Sequence, residues 1–353
     1  VRRDKETSLL LAKTLRGVWR DEPPRLGISR DEFIKHIPLF LGSGTAAMVW
    51  RLVRNSDLKD SPPVLNLLEG LRYYAIQNAV IEKIIKEALS LFRSREIEPI
   101  LIKGWAIARL YPEKGLRLCG DIDLVVRPDQ YSLALDLVTR HRFPVDLHSG
   151  LSKLDLHPIE ELYDRSQLVR LDETDVRLLS PEDHLRILCL HFLRDGAWLP
   201  RGLCDIALAV ESRPQDFDWD ICLGKNRRRA DWVACAVGLA HQLLGADTDD
   251  TPLAERAANL PRWLLPAVLR QWENPVVDDR RPPELISESL SHPSHIPKAI
   301  RRRWPDPIRA TVRLEASFDE FPRLPLQAIL FLRRIEAFVN RLPALLRKSN
   351  DRK

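Results

Sequence analysis

Residues 97–126 read IEPILIKGWAIARLYPEKGLRLCGDIDLVV and residues 143–148 read FPVDLH. The order of elements in this stretch decides the fold. Ile100, Leu101 and Ile102 form an apolar run ended by Lys103-Gly104, which predicts a short buried strand leading into a turn. Trp105 to Leu110 then carry a helical pattern. After a loop containing Pro112 and Gly115, the segment Gly120 to Val126 alternates Asp121 and Asp123 with β-formers, predicting a second strand. Successive side chains on a strand point to opposite faces, so both carboxylates are expected on one face. Asp129 to Arg140 reads as a helix, and Phe143 to His148 as a third strand that carries Asp146. Adjacent acids repel each other unless a cation lies between them, and hard oxygen ligands at this spacing suit Mg²⁺. Repulsion in an empty site also predicts that Asp121→Asn or Asp123→Asn leaves the fold intact.

A second acid competes for the third position. Asp155-Leu156-His157 repeats the tripeptide Asp146-Leu147-His148 nine residues later. Asp146 is preferred because β-formers flank it, whereas Asp155 runs towards Pro158 and a helix start. His148 shares the predicted strand face of Asp146 and is expected to orient a carboxylate or to contact a base or acceptor. Gly104 opens a helix at a strand end, where free amides and a missing side chain admit phosphate. Lys103 is placed to neutralise a phosphate, against the alternative of a strand-end lysine facing solvent. Arg117 is expected either to bind phosphate or to pair with Asp121 or Asp123.

Working outward, helical spacing covers most of the remaining chain. Val80, Ile81, Ile84, Ile85, Ala88, Leu89 and Phe92 mark one face of a helix that enters the first strand and is expected to pack on the sheet. Ser180-Pro181-Glu182-Asp183 is a capping-box-like start for a helix running towards Gly196. Further helices are expected at Gly202 to Val210, Asp231 to Leu244, Leu253 to Asn259, Pro261 to Trp272 and Leu326 to Arg347. Val276 to Pro297 reads as a long surface loop. The expected architecture is α+β: a helical N-terminal region (1–75), a small mixed-sheet core (76–178) with helices on one face, and a helical C-terminal domain (179–353).

The chain has 353 residues, 44% of them hydrophobic, with 55 basic and 50 acidic side chains giving a formal charge of +5. That suffices for two or three packed domains and is compatible with an anionic ligand without requiring nucleic acid. Five cysteines with no Cys-x-x-Cys pair argue against a disulfide framework. Neither a long uninterrupted apolar span nor a signal-peptide core in residues 1–17 is present, so a cytoplasmic protein without a membrane partner is expected. His184 and His191 lie seven apart without a His-Glu-x-x-His pattern and read as structural. The basic runs Lys225 to Arg229, Arg301 to Arg303 beside Trp304, and Arg347-Lys348 read as solvated faces, which leaves nucleic-acid binding possible but not favoured.

Lys103-Gly104 at a strand end, Asp121-x-Asp123 on a second strand and Asp146 on a third resemble the nucleotidyltransferase superfamily of the polymerase-β type. More narrowly, Lys103-Gly104, Tyr111-Pro112, Arg117, Asp121 to Val125 and Asp146 to His148 resemble an uncharacterised bacterial nucleotidyltransferase family. Leu179 to Asp183, Leu190-His191 and Cys204 to Ala207 extend the likeness, which spans roughly residues 75 to 245. The superfamily usually carries Gly-Ser or Gly-Gly where this chain has Lys103-Gly104. The resemblance implies a Mg²⁺-dependent enzyme that transfers NMP from an NTP to a hydroxyl or amine acceptor and releases pyrophosphate. In that scheme Asp121 and Asp123 bridge two Mg²⁺ ions, Asp146 holds the ion nearer the attacking group, and Lys103, Gly104, Arg117 and His148 contact the nucleotide. The acceptor is a small molecule, peptide, protein or tRNA. The alternatives are a catalytically weak NTP-binding or protein-interaction module, and a nucleic-acid-directed nucleotidyltransferase.

Overall fold

The structure, a computed structural model, describes residues 2–151, 156–273 and 303–350. Five strands form one mixed sheet: β1 (Ile100–Ile102), β2 (Ile122–Val126), β3 (Val145–Ser149), β4 (Gln167–Leu171) and β5 (Thr174–Leu178), in the order β3-β2-β1-β5-β4. β2 runs antiparallel to β1 and parallel to β3, while β5 runs parallel to β1 and closes a hairpin with β4. The three strands read from the sequence are all present. The β4–β5 hairpin was not anticipated: it turns at Asp172, whose φ is +53°, and its pattern mixes Leu168 and Arg170 outward with Val176 and Leu178 inward.

Both faces of the sheet are covered, which corrects the expectation of helices on one face. On one side, Ile81, Ile85, Leu89 and Phe92 of α5 (Pro62–Arg93) and Leu137 of α7 (Tyr131–His141) pack on Leu101, Ile122 and Leu124. On the other, Ile159 and Leu162 of α8 (Ile159–Arg165) and Ile187 of α9 (Pro181–Arg194) pack on Ile100, Ile102 and Val125. Burial on both sides explains why every residue of β1 and β2 is buried, Asp123 included.

The helical parts before and after the sheet share one apolar core. α1 (Arg2–Thr14), α2 (Arg30–Lys35), α3 (Ile37–Gly42) and α4 (Ala46–Val53) precede α5, and Pro62-Pro63 start α5 at positions that need no amide donor. α6 (Gly104–Ala108) follows β1. Past the sheet come α10 (Pro200–Glu211), α11 (Trp219–Leu223), α12 (Arg227–Leu244), α13 (Ala254–Ala258) and α14 (Leu264–Trp272), then α15 (Pro307–Arg313) and α16 (Leu324–Asn350). Leu11 and Leu15 at the start of the chain lie in the same cluster as Leu239, Val268 and Trp272, with α1 packed on α12 and α14. α5 is continuous through residue 75, so its N-terminal half belongs to this core and its C-terminal half to the sheet.

Ser180 caps α9 as its sequence suggests: Asp183 N donates to Ser180 Oγ at 3.3 Å. The Asp183 carboxylate is fully buried between Arg165, at 2.9 Å, and Arg186. All five cysteines are free and buried. Among the described residues no helix is long and apolar enough to cross a membrane. Asp155, Arg301, Arg302 and the loop read at 276–297 lie outside the described residues.

Candidate active site

The parallel register of β2 and β3 sets Asp123 opposite Asp146 and Val125 opposite His148. Alternation along β2 sends Ile122, Leu124 and Val126 to the α5 side, so Asp123 joins Ile102, its β1 partner, on the α8–α9 side. Asp123, Asp146 and His148 thereby meet, with one ligand atom from each lying within 4.8 Å of the others. Their exposures differ in a useful way: the Asp123 side chain is 9% exposed, His148 31% and Asp146 68%. The cluster has a buried root and a solvent-facing tip.

Lys103 closes the buried end. Its Nζ lies 2.7 Å from Asp123 Oδ1, and His148 Nε2 donates to the same oxygen at 3.0 Å while standing 3.6 Å from Asp146 Oδ2. Burial works against the Asp123 carboxylate, yet the His148 hydrogen bond and the Lys103 charge outweigh it and hold Asp123 below its ordinary value. Lys103 reaches this position from a backbone at φ +55°, ψ −141°, a conformation that non-glycine residues rarely adopt. Gly104 follows at φ +32°, and a Cβ there would stand 3.0 Å from the Asp121 carbonyl oxygen. The turn is tight because the backbone before β2 crosses it.

Asp121 precedes β2 by one residue and is exposed, outside the Asp123–Asp146–His148 cluster. Arg117 turns to a different acid. Its Nη2 donates to Asp205 Oδ2 on α10 at 2.9 Å, and Tyr111 Oη donates to Asp205 Oδ1 at 2.9 Å, all three residues being buried. Burial alone would lower the Arg117 guanidinium, but Asp205 more than compensates and raises it. Three residues that the sequence offered as separate motif positions are thus one clasp between the loop before β2 and the helical part. Asn78 of α5 secures the same loop, donating to Arg117 O at 2.8 Å and accepting from Cys119 N at 2.9 Å. Arg51 of α4 and Arg54 at its C-cap hold Glu113 at 2.9 Å and 2.6 Å.

α9 brings the two histidines of its stripe to different places. His184 is buried with Nε2 unpartnered, and burial, reinforced by Arg109 and Arg117, lowers it to about 3. His191 lies where Lys103 and Asp123 act on its charge, although burial still lowers it. Sequence reasoning grouped the pair as structural and did not single out His191 as a neighbour of the acids. Their seven-residue spacing was the available signal: two turns of helix separate a packed position from one at the sheet end.

No curated protein and no solved structure matches the chain. Residues 42–141 and 135–245 match the model of a family described as uncharacterised nucleotidyltransferase. The match takes in α4 and α5, the whole sheet, and the α9, α10 and α12 helices, so it contains every residue of the acidic cluster and of the Tyr111–Arg117–Asp205 clasp. Covering more than half of the 353 residues, it shows that the chain belongs to this uncharacterised nucleotidyltransferase family.

Proposed function

We propose that the protein is a divalent-metal-dependent nucleotidyltransferase that transfers NMP from an NTP to a hydroxyl or amine acceptor. The observation that carries this reading is the convergence of Asp123, Asp146 and His148 within 4.8 Å beside Lys103, in a chain of a nucleotidyltransferase family. Two carboxylate oxygens and one imidazole nitrogen fit a divalent cation, Mn²⁺ accepting the nitrogen donor more readily than Mg²⁺ does. Asp123, Asp146 and His148 would hold the ion, which when bound neutralises charge on the transferring phosphoryl group. A second ion would call on Asp121.

The reaction forms a bond from the acceptor oxygen or nitrogen to the α-phosphorus. It breaks the bond from that phosphorus to the bridging oxygen, whose electron pair leaves with pyrophosphate. Asp146, the most exposed of the three, takes the acceptor's proton. Without the ion, His148 fixes the Asp123 carboxylate through its Nε2 proton, which it would give up to ligate the metal, and Lys103 neutralises the carboxylate until a triphosphate offers a stronger anion. Gly104 lets the turn pass close to the Asp121 carbonyl, where a Cβ would stand 3.0 Å from that oxygen, and so keeps Lys103 beside Asp123.

The test is incubation of the purified protein with each NTP and Mg²⁺ or Mn²⁺, following pyrophosphate release and searching by mass spectrometry for NMP added to candidate acceptors, the protein itself included. Release that Asp146→Asn abolishes is expected. Release that persists at the wild-type rate in both Asp123→Asn and Asp146→Asn would sink the assignment.

A further inference from the structure

Arg201, in the first turn of α10, lies one helical turn before Asp205 yet forms no ion pair with it. Its side chain is only partly exposed, and among the described residues it makes no hydrogen bond or ion pair. The carboxylate beside it, Asp205, is already engaged by Arg117 and by the Tyr111 hydroxyl. Burial lowers the Arg201 guanidinium and the Arg117 charge lowers it further, with Asp205, Tyr74 and Asp121 opposing. An arginine cannot escape by losing its proton at neutral pH, so it remains a largely desolvated cation without a partner charge bonded to it.

Gly44, Tyr74 and Asp121 surround the guanidinium. The turn between α3 and α4 passes directly over it at Gly44, where φ is +71° and a Cβ would stand 3.0 Å from Arg201 Nη1. Any other residue at that point would be both strained and in contact with the fork. Tyr74 of α5 closes another side: its ring is buried and its hydroxyl lies within the field of Arg201. Asp121 is exposed, its backbone oxygen lies against the Lys103-Gly104 turn, and its charge reaches Arg201. The unpaired cation therefore lies within reach of Asp121 and, through the Asp121 backbone, close to the Lys103-Gly104 turn that adjoins the acidic cluster.

We infer that Arg201 is the anchor for the polyphosphate tail of the nucleotide, its planar fork holding the β- and γ-phosphates and then the departing pyrophosphate. This rests on the transferase reading of the adjacent cluster. A phosphate ligand is favoured over a carboxylate because the chain belongs to a nucleotidyltransferase family, and a guanidinium fork engages two phosphate oxygens at once. Arg117 has no such role, since its donors are spent on Asp205 and the Leu118 carbonyl.

The experiment is calorimetric titration of the full chain and of its Arg201→Gln and Arg201→Lys variants with inorganic pyrophosphate, with NTPs and with NMPs, all in Mg²⁺. Loss of a charge-assisted hydrogen-bonded pair predicts that Arg201→Gln weakens pyrophosphate and NTP binding roughly 10- to 100-fold while NMP affinity stays within about twofold. Arg201→Lys should recover part of the loss. Because the variant removes an unpaired charge, its melting temperature should equal or exceed that of the wild type. The inference is overturned if the wild type does not bind pyrophosphate, if Arg201→Gln binds it as the wild type does, or if NMP and NTP affinities fall together. Pyrophosphate binding that depends on Arg201, in a protein that transfers no NMP to any acceptor, would uphold the anchor and reject the transferase. NMP transfer that needs Asp123 but leaves pyrophosphate affinity indifferent to Arg201 would do the reverse.

Discussion

Lys103 Nζ sits 2.7 Å from Asp123 Oδ1, on the oxygen that also accepts the His148 hydrogen bond. With 13% of the lysine side chain and 9% of the aspartate side chain exposed, the pair is poorly screened by solvent. The lysine therefore competes with any metal ion for the best-buried carboxylate of the cluster. Removing one positive charge at this range predicts that Lys103→Ala binds Mn²⁺ roughly tenfold more tightly in the absence of nucleotide. The same variant should bind NTP more weakly, and Lys103→Arg should restore part of that loss. Titration monitored by Mn²⁺ electron paramagnetic resonance decides the first point; an unchanged Mn²⁺ affinity would remove the lysine from the competition.

The same pairing reverses an expectation drawn from sequence. Two unligated acids on a strand suggest repulsion, hence little stability loss on neutralising either one. In the structure Asp123 is buried and held by Lys103 and His148, while Asp121 is exposed. Asp123→Asn is expected to lower stability by about 1–3 kcal/mol, the value of hydrogen bonds to a charged group, and Asp121→Asn to leave it within about 0.5 kcal/mol. Urea denaturation of both variants at neutral pH tests this. Equal midpoints for the two would contradict the geometry.

What the sequence made legible follows from local patterns. β-formers alternating with acids located β2 and β3, and their parallel register carried Asp146 to Asp123 without further information. The exact start of β2 was not legible, because strand ends are set by pairing partners, and one residue decides whether Asp121 lies within the strand or before it. The β4–β5 hairpin was missed because Leu168 is exposed while Val169 is half-buried, which blurs the two-residue period. Arg117 and Asp205 are 88 residues apart, and nothing in a single sequence ties a basic residue in a loop to an acid on a distant helix. Arg201 was overlooked for the same reason: its significance lies in the partner it lacks.

The Arg117–Asp205 pair supports a test of structure against ligand contact. Removing one member leaves the other charged and buried, so Asp205→Ala should cost about 3–5 kcal/mol of stability, whereas the double variant Arg117→Met, Asp205→Leu should recover most of that loss. Tyr111 limits the recovery, since its hydroxyl also donates to Asp205. If the clasp only positions the loop before β2, the double variant keeps NTP affinity within about threefold of the wild type. A far larger loss of NTP affinity in a stably folded double variant would return Arg117 to the phosphate site.

His184 sets an acid limit on the fold. Its folded-state value of about 3 lies below the unfolded value of about 6.5, because the imidazolium would be buried beside Arg109 and Arg117. The unfolded chain therefore binds this proton first as pH falls. Stability is fully present above about pH 6.5, declines by up to about 1.4 kcal/mol per unit as pH drops towards 3, and levels once both states are protonated. Asp123 acts lower on the scale: its depressed value protects the fold above the ordinary carboxylate range and fails as pH falls through the folded value. His191, also lowered by burial, adds to the loss in the upper window. Urea midpoints measured from pH 7 to pH 4 should thus fall for the wild type and fall clearly less for His184→Gln, while Asp123→Asn should match the wild-type slope above about pH 5. A His184→Gln profile parallel to the wild type throughout would show that this imidazole takes up its proton as readily in the folded protein as in the unfolded chain.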